Sequence, residues 1–443
     1  MEESDVIKVI TYGTYDLLHY GHIRLLERAK KLGDYLIVGV TADDFDKTRG
    51  KINVQQSLME RVEAVRATGL ADEIIIEEYE GQKIDDIRRY DIDIFTVGSD
   101  WIGKFDYLNE YCKVIYLDRT KGVSSTELRT EKRQIRLGLV GDSYVLKKYA
   151  AECAFVNGIE ITGICSKNKN LICEIDKGAC MVTKEFDALL EYVDAIYIIS
   201  LPQYHYSQIK QALLAGKHVL CESPIALSKS QNNELFKLAK QQHCILMDAL
   251  KTAYSTAYSR LLLLVKSGRI GQVYSVDATC TSLAEMNENT WNSICAWGPT
   301  AMLPIFNILG HDYKTKMITS HLDNNGNDEF TKINFTYDHA VASAKVAKGV
   351  KSEGELIVSG TKGYVYVPAP WWKTDYFEIR YENPSENKRY FYQLDGEGIR
   401  YELVAFTKAI ETGKNISYID QPVSDAFCKI VEDFFAKKNL VEI

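Results

Sequence analysis

Two of the chain's eight histidines, His19 and His22, stand within four residues in the run Thr11-Tyr12-Gly13-Thr14-Tyr15-Asp16-Leu17-Leu18-His19-Tyr20-Gly21-His22. If Val6–Tyr12 is a strand and Gly21–Leu32 a helix, the i, i+3 spacing puts both imidazoles on one face of the helix's first turn. Backbone N–H groups without helical partners and the helix dipole gather positive potential there, which suits a phosphate group.

Such a pair needs a scaffold, and the flanking sequence predicts one. Strand-like and helix-like patterns alternate: Ile7–Tyr12 β, Ile23–Leu32 α, Tyr35–Thr41 β, Ser57–Thr68 α, Glu73–Glu77 β, Lys83–Tyr90 α, Ile94–Gly98 β, Asp106–Glu110 α and Lys113–Tyr116 β. That order predicts a parallel sheet covered by helices, with ligands at the carboxyl ends of its strands, where His19, Asp43, Asp100 and Arg119 fall.

The 443 residues allow two to four domains. A net charge of -8 excludes a general nucleic-acid or membrane-surface binder. Apolar runs such as Leu261–Val265 are too short to span a bilayer, and the acidic start predicts no signal peptide. Ten cysteines without a C-x-x-C pair suit reduced thiols and a cytoplasmic location, with no protein-built metal site.

Residues 6–129 resemble the glycerol-3-phosphate cytidylyltransferases of the His-x-Gly-His nucleotidyltransferase superfamily. The resemblance rests on Tyr12–His22, Leu25-Leu26-Glu27-Arg28-Ala29-Lys30, Leu32–Val38, Gly98-Ser99-Asp100-Trp101, Gly103-Lys104-Phe105-Asp106 and Arg119-Thr120-Lys121-Gly122-Val123-Ser124-Ser125-Thr126. It implies that a phosphorylated alcohol attacks the α-phosphate of CTP and that pyrophosphate leaves. His19 and His22 would then contact the triphosphate, supported by Thr14 and Tyr15. Lys51, with Arg49, would cover the leaving phosphates, and Arg119, Thr120, Ser124, Ser125 and Thr126 would hold them from the other side. Asp16 and Asp100 would lie nearer the nucleotide and acceptor, with Mg2+ bridging the phosphates. Two departures are Gly69-Leu70-Ala71-Asp72, where the family usually has Arg-Tyr-Val-Asp, and Ser99, where it often has an aspartate.

After a short charged joint at 130–136, strand-like segments Leu137–Val140, Ile159–Cys165, Tyr197–Leu201, His218–Glu222 and Cys244–Asp248 alternate with helical ones. The phosphate-binding turn reads Gly141-Asp142-Ser143-Tyr144-Val145-Leu146, keeping one of three expected glycines. With Asp194–Pro202, Ala215–Ala226, Leu246–Ala249 and Lys266–Val273, this part resembles the glucose-fructose oxidoreductase / inositol dehydrogenase / MocA family. The resemblance implies a Rossmann domain over 137–250 and, over 251–443, a substrate and oligomerisation domain with an open, mostly antiparallel sheet, following a cytidylyltransferase domain over 1–129. Strand-like stretches Lys332–Tyr337, Val341–Lys348, Glu355–Ser359, Tyr364–Val367, Phe377–Tyr381 and Arg389–Tyr392 agree with that sheet. A dinucleotide would contact Gly141, Asp142, Ser143, Ser200, Leu201, Pro202, Glu222 and Pro224. Ser166-Lys167, where an acidic residue would bind the ribose of NAD, suits the extra phosphate of NADP, with NAD left open.

The reductase chemistry is less legible. The family's Glu-Lys-Pro is Glu222-Ser223-Pro224, and Trp297–Ile305 offers neither an Asp-x-x-x-His motif nor a tyrosine. Lys251, just beyond Asp248, is the substitute candidate, able to donate a proton to a carbonyl or hold a phosphate; Tyr254 and His205 follow. The combined resemblance implies a homo-oligomer, dimer or tetramer, that reduces a keto-sugar phosphate and couples the alditol phosphate to CTP, as in teichoic-acid or capsule biosynthesis. The alternative is a cytidylyltransferase carrying a non-catalytic scaffold.

Overall fold

The computed structural model describes residues 6–42, 54, 56–79, 81–118, 134–175, 178, 180–283, 291–392 and 394–443. Asp43, Arg49, Lys51, Arg119, Thr120, Ser124, Ser125 and Thr126 lie outside the described residues. The chain forms two units, Met1–Arg133 and Gln134–Ile443.

In the first unit, β1 (Lys8–Gly13), β2 (Tyr35–Thr41), β3 (Glu73–Glu77), β4 (Ile94–Gly98) and β5 (Lys113–Leu117) form a parallel sheet in the order β3-β2-β1-β4-β5. The order reverses between β1 and β4, which opens a crevice at their carboxyl ends. Alternate residues of β1 serve opposite faces. Val9 joins Leu26 and Ala29 of α1 (Tyr20–Lys30) and Val62 and Val65 of α2 (Leu58–Ala67), whereas Ile10 and Tyr12 join Ile87 of α3 (Gln82–Tyr90). This period of two under helical cover is what makes the sheet doubly wound. Gly39 of β2 is required because the Tyr12 ring lies across it, with Tyr12 Cδ1 only 2.2 Å from where a Cβ would stand.

The second unit begins with β6 (Ile135–Val140), β7 (Ile159–Cys165), β8 (Met181–Thr183), β9 (Ala195–Ile198), β10 (His218–Glu222) and β11 (Leu246–Ala249), parallel in the order β11-β10-β9-β6-β7-β8. A second sheet follows, built from β12 (Val273–Ser282), β13 (Thr315–Leu322), β14 (Asp328–Thr336), β15 (Val341–Lys348), β16 (Leu356–Gly360), β17 (Gly363–Val367), β18 (Tyr376–Tyr381), β19 (Lys388–Phe391) and β20 (Leu440–Glu442). It is antiparallel except where β12 meets β15 and β13 meets β20. Among the described residues, no helix is long and apolar enough to cross a membrane.

Most predicted elements appear within a few residues of their expected ends. Asp106–Glu110 is a correction: it forms a 3-10 turn, not an α-helix. Only Leu108 of its five residues is buried, too little apolar surface to stabilise a longer helix. Trp297–Ile305 lies inside the helix Ser293–Leu309, which runs through Pro299 and Pro304 and carries no Asp, Glu, His, Lys or Tyr.

Candidate active sites

His19 is the N-cap of α1: its Nδ1 accepts from the Gly21 N–H at 3.0 Å. An acceptor at Nδ1 puts the proton of the neutral ring on Nε2, so that nitrogen is the donor. His22 stacks on His19 with ring centroids 4.0 Å apart and planes 20° apart, and the buried Tyr15 meets His22 edge-on at 5.6 Å. No acidic residue occupies the first turn of α1, so its positive end is not neutralised by its own sequence. The preceding loop holds Tyr15 at φ +54° and Leu17 at φ +48°. Left-handed conformations at two non-glycine residues cost free energy and persist only where packing overdetermines them.

That packing comes from α2. Asp16, 2% exposed, accepts from the Gln56 N–H at 3.0 Å, and the Gln56 side chain accepts from Leu17 N at 2.7 Å. Arg61, fully buried, donates through Nη1 to Thr14 O at 2.7 Å and Thr41 O at 2.8 Å, and through Nε to Gln56 O at 3.2 Å. It ties the ends of β1 and β2 to α2, and sequence reading missed it. Tyr12 donates to Asp86 at 2.8 Å, and burial together with that carboxylate holds its phenol far above the ordinary range. Asp100 is exposed on the 3-10 turn Ser99–Trp101 directly after β4, across the crevice from the histidine loop.

In the second unit, Gly141 follows β6 with φ +132°, and a Cβ there would stand 2.8 Å from Ile199 O, so only glycine fits between β6 and β9. Asp142 reaches the turn after β7: its Oδ1 accepts from Ser166 Oγ at 2.8 Å, Lys167 N at 2.6 Å and Asn168 N at 3.2 Å. Ser143 Oγ accepts from Val145 N at 3.3 Å, at the start of α4 (Val145–Cys153). Leu201 and Pro202 start the helix after β9. These are the carboxyl ends at a switch point between β6 and β9, where a dinucleotide belongs.

Around that edge the sequence candidates sort by their contacts. His205 is fully buried, its ring nitrogens on Pro224 O at 2.9 Å and Ser200 O at 2.8 Å, so it links two loops. Tyr254, 3% exposed, shares a hydrogen bond with Ser417 at 3.0 Å. Ser223, standing in place of the expected lysine, is buried and donates to Asp248. Lys251 is one-quarter exposed at the end of β11 and pairs with Glu397 at 2.5 Å.

An acid pair lies beneath, the buried Glu402 and the half-buried Glu222, and the pairing was unread in the sequence. Tyr197 donates to Glu222 at 2.6 Å, Tyr149 donates to Glu402, and the two phenol rings stack at 3.8 Å. The phenol in the otherwise aliphatic run Ala195–Ile198 was the available signal. Burial pushes the Glu222 carboxyl up to about 7 against the pull of Tyr197 and Lys251, and burial and Glu222 push Glu402 well above its usual range. An acid whose folded pKa exceeds its unfolded one stabilises the fold below the unfolded value and loses that contribution as pH rises through the folded one. The second unit therefore loses stability between about pH 4.5 and pH 7, by on the order of 2–3 kcal/mol from Glu222. Calorimetry should show its melting transition falling over that window, with the fall reduced in Glu222→Gln.

Comparison with known proteins agrees with both folds. The cytidylyltransferase-like family matches residues 10–131, and the oxidoreductase family's NAD-binding Rossmann fold matches residues 135–249. The glycerol-3-phosphate cytidylyltransferase of Bacillus spizizenii is 52% identical over 124 residues, covering 28% of this chain and 95% of that protein. A dTDP-3,4-didehydro-2,6-dideoxy-α-D-glucose 3-reductase of Streptomyces violaceoruber is 29% identical over 153 residues, 34% of this chain and 45% of that protein. The structure of a 3-ketoreductase from Actinomadura kijaniata, in complex with NADP and TDP-benzene, superposes with a TM-score of 0.63 at 17% identity, covering 70% of this chain and all of that one. Through residues 10–131 the chain belongs to the cytidylyltransferase-like family with the glycerol-3-phosphate cytidylyltransferases, and it joins that domain to an oxidoreductase-family Rossmann unit.

Proposed function

We infer that the chain is a bifunctional enzyme whose first unit couples CTP to glycerol 3-phosphate or a related alditol phosphate, and whose second unit supplies that alditol phosphate by reducing a keto-sugar phosphate. The stacked His19–His22 pair at the unneutralised end of α1, in the crevice between β1 and β4, carries the first half. An oxygen of the alditol phosphate attacks the α-phosphorus of CTP, the bond to the β-phosphate breaks, and pyrophosphate leaves with the electron pair. His19 Nε2–H and the α1 amides stabilise the charge on the α-phosphate oxygens during the displacement. Lys51, Arg49, Arg119, Thr120, Ser124, Ser125 and Thr126 complete the phosphate site in this reading. Mg2+ would neutralise the triphosphate in this reading.

In the second unit, the Gly141 turn and the amino end of α4 would hold the dinucleotide's pyrophosphate, and the group would supply hydride when bound. Lys167 and Ser166 favour the extra phosphate of NADP, and Asp142, hydrogen-bonded to both residues, opposes it. The balance between Lys167 and Asp142 then sets the choice of cofactor. Asp142→Asn should raise the ratio of NADPH to NADH affinity about tenfold, and Lys167→Ala should lower it, as read by nucleotide fluorescence. Unchanged ratios in both variants would remove these residues from cofactor choice.

One observation favours a second reading, a non-catalytic scaffold. The helix Ser293–Leu309 offers no acid or base, and His205, Tyr254 and Lys251 all have protein partners. Incubation with CTP, Mg2+ and a panel of polyol phosphates, followed by keto-sugar phosphates with NADH or NADPH, separates the two by product mass. No CDP-alditol from any acceptor would end the central reading, and no binding of either nicotinamide cofactor would leave the scaffold. A cytoplasmic homo-oligomer serving a cell-surface polymer is the setting that fits these activities.

A further inference from the structure

Three lysines from separate parts of the second unit converge on one carboxylate. Lys148 of α4, Lys251 beyond β11 and Lys373 of the 3-10 turn Trp371–Lys373 lie 2.9, 2.5 and 3.1 Å from Glu397. Three ammonium groups face this one carboxylate, and Lys251 also acts on Glu222 and Glu402, both held toward their neutral forms by burial. The cluster is open to solvent, with side-chain exposures of 50%, 24% and 34% for the lysines and 33% for Glu397.

Glu397 is held there by an unusual turn. Gly396, Glu397 and Gly398 all have positive φ, at 56°, 55° and 92°. A Cβ on Gly398 would stand 2.8 Å from Lys251 O, and one on Gly396 would collide with Glu152. The glycines thus allow the turn to lie against Lys251 and α4, at the cost of a left-handed glutamate between them. Burial resists charge on Glu397, but the surrounding lysines overcome it and pull the carboxyl down to about 2. Lys373 in turn is lowered, chiefly by burial and partly by repulsion from Lys251 and Lys148, against the pull of Glu397.

We propose that Lys148, Lys251 and Lys373 form the phosphate-recognition site of the second unit, taking the dianionic phosphomonoester of its substrate while Glu397 keeps the place of that phosphate until it binds. The charge favours the exchange: a dianion pairs with more of the three ammonium charges than the single carboxylate it displaces. Two of the three lysines stand apart from the cofactor's phosphates, while Lys148 lies in the first turn of α4, whose amino end would hold them. Lys251 follows β11, at the edge of the parallel sheet and three strands from β6, and Lys373 comes from the segment leading into β18 of the second sheet. A ligand touching all three would span the sheet's carboxyl edge and the second sheet's domain, as a substrate facing the nicotinamide must. The assignment rests on the reductase reading and adds to it the residues that take the phosphate of its keto-sugar phosphate.

Competitive amine acetylation of the full chain, read by peptide mass spectrometry, tests this lysine by lysine. Inorganic phosphate and dihydroxyacetone phosphate at about 10 mM should protect Lys148, Lys251 and Lys373 together, and dihydroxyacetone should not. In Glu397→Gln the concentration giving half-protection should fall about tenfold, because the internal competitor has lost its charge. No concerted protection by either phosphate, equal protection by dihydroxyacetone, or protection by NADH or NADPH alone would each overturn the proposal. Cofactor fluorescence in the same samples tests the parent reading separately. Phosphate protection without binding of either nicotinamide cofactor would leave an anion site in a non-reductase, whereas cofactor binding without protection would keep the reductase and remove the site.

Discussion

Replacing His19 by alanine should lower cytidylyl transfer by at least about 10²–10³-fold, the range seen when one preorganised donor to a developing oxyanion is lost. The same substitution removes the Nδ1 acceptor of the Gly21 N–H and should cost about 1 kcal/mol of stability as a lost N-cap. The two effects separate in His19→Asn. Asparagine can accept from Gly21 N in place of Nδ1, but it cannot carry a donor to where Nε2 stands. Its first unit should melt close to the unsubstituted protein while transfer stays low. Nicotinamide binding by the second unit serves as the internal control and should not change in either variant. Transfer within tenfold of the unsubstituted enzyme in His19→Asn would mean that the histidine only caps α1.

Arg61→Met should be the most destabilising single change in the first unit. Three carbonyls, of Thr14, Thr41 and Gln56, would lose a buried cationic donor at once. Removing one side of a buried charged network costs about 3–5 kcal/mol, because the groups left behind have no water to replace the partner. At this domain size the loss should lower the unit's melting transition by roughly 10 °C or more. Arg61→Lys should recover only part of it, since one ammonium cannot reproduce the fork. Because Thr14 belongs to the histidine loop, the lysine variant should also raise KM for CTP even where it remains folded. A melting transition unchanged in Arg61→Met would show that α2 holds the loop by packing alone.

The two substitutions illustrate how differently these residues were written into the sequence. His19 and His22 were legible because their spacing matches a helical turn and their neighbours match a family. The role of His19 as a cap was not, since histidine is not a preferred capping residue and only the folded loop brings Nδ1 to Gly21 N. Arg61 was illegible for a stronger reason. Its partners are main-chain carbonyls from three separate segments, and a carbonyl carries no signature in sequence. The Ser166–Lys167 turn was read from the resemblance as a cofactor position, but its hydrogen bonds to Asp142, some 25 residues earlier, required β6 and β7 to be neighbours. Glu222 was likewise placed at the correct strand end, while burial raises its pKa against the opposing pull of Tyr197 and Lys251, neighbours that only the packed structure brings beside it.

Alternating strand-like and helix-like patterns pointed to two successive parallel sheets, because alternation along strands and helical repeats are local properties of the chain, while the later, mostly antiparallel sheet was implied by the family resemblance and only agreed with by its strand-like stretches. Motif spacing pointed to a phosphate site in the first unit for the same reason, since the two histidines span less than one helical turn, and the family resemblance implied the transfer chemistry. Tertiary structure alone decided which charges meet. Lys148, Lys251, Lys373 and Glu397 are separated by up to 249 residues along the chain, yet they share one carboxylate's hydrogen bonds. Electrostatic contact depends on distance in space, and that distance exists only once the sheets have packed.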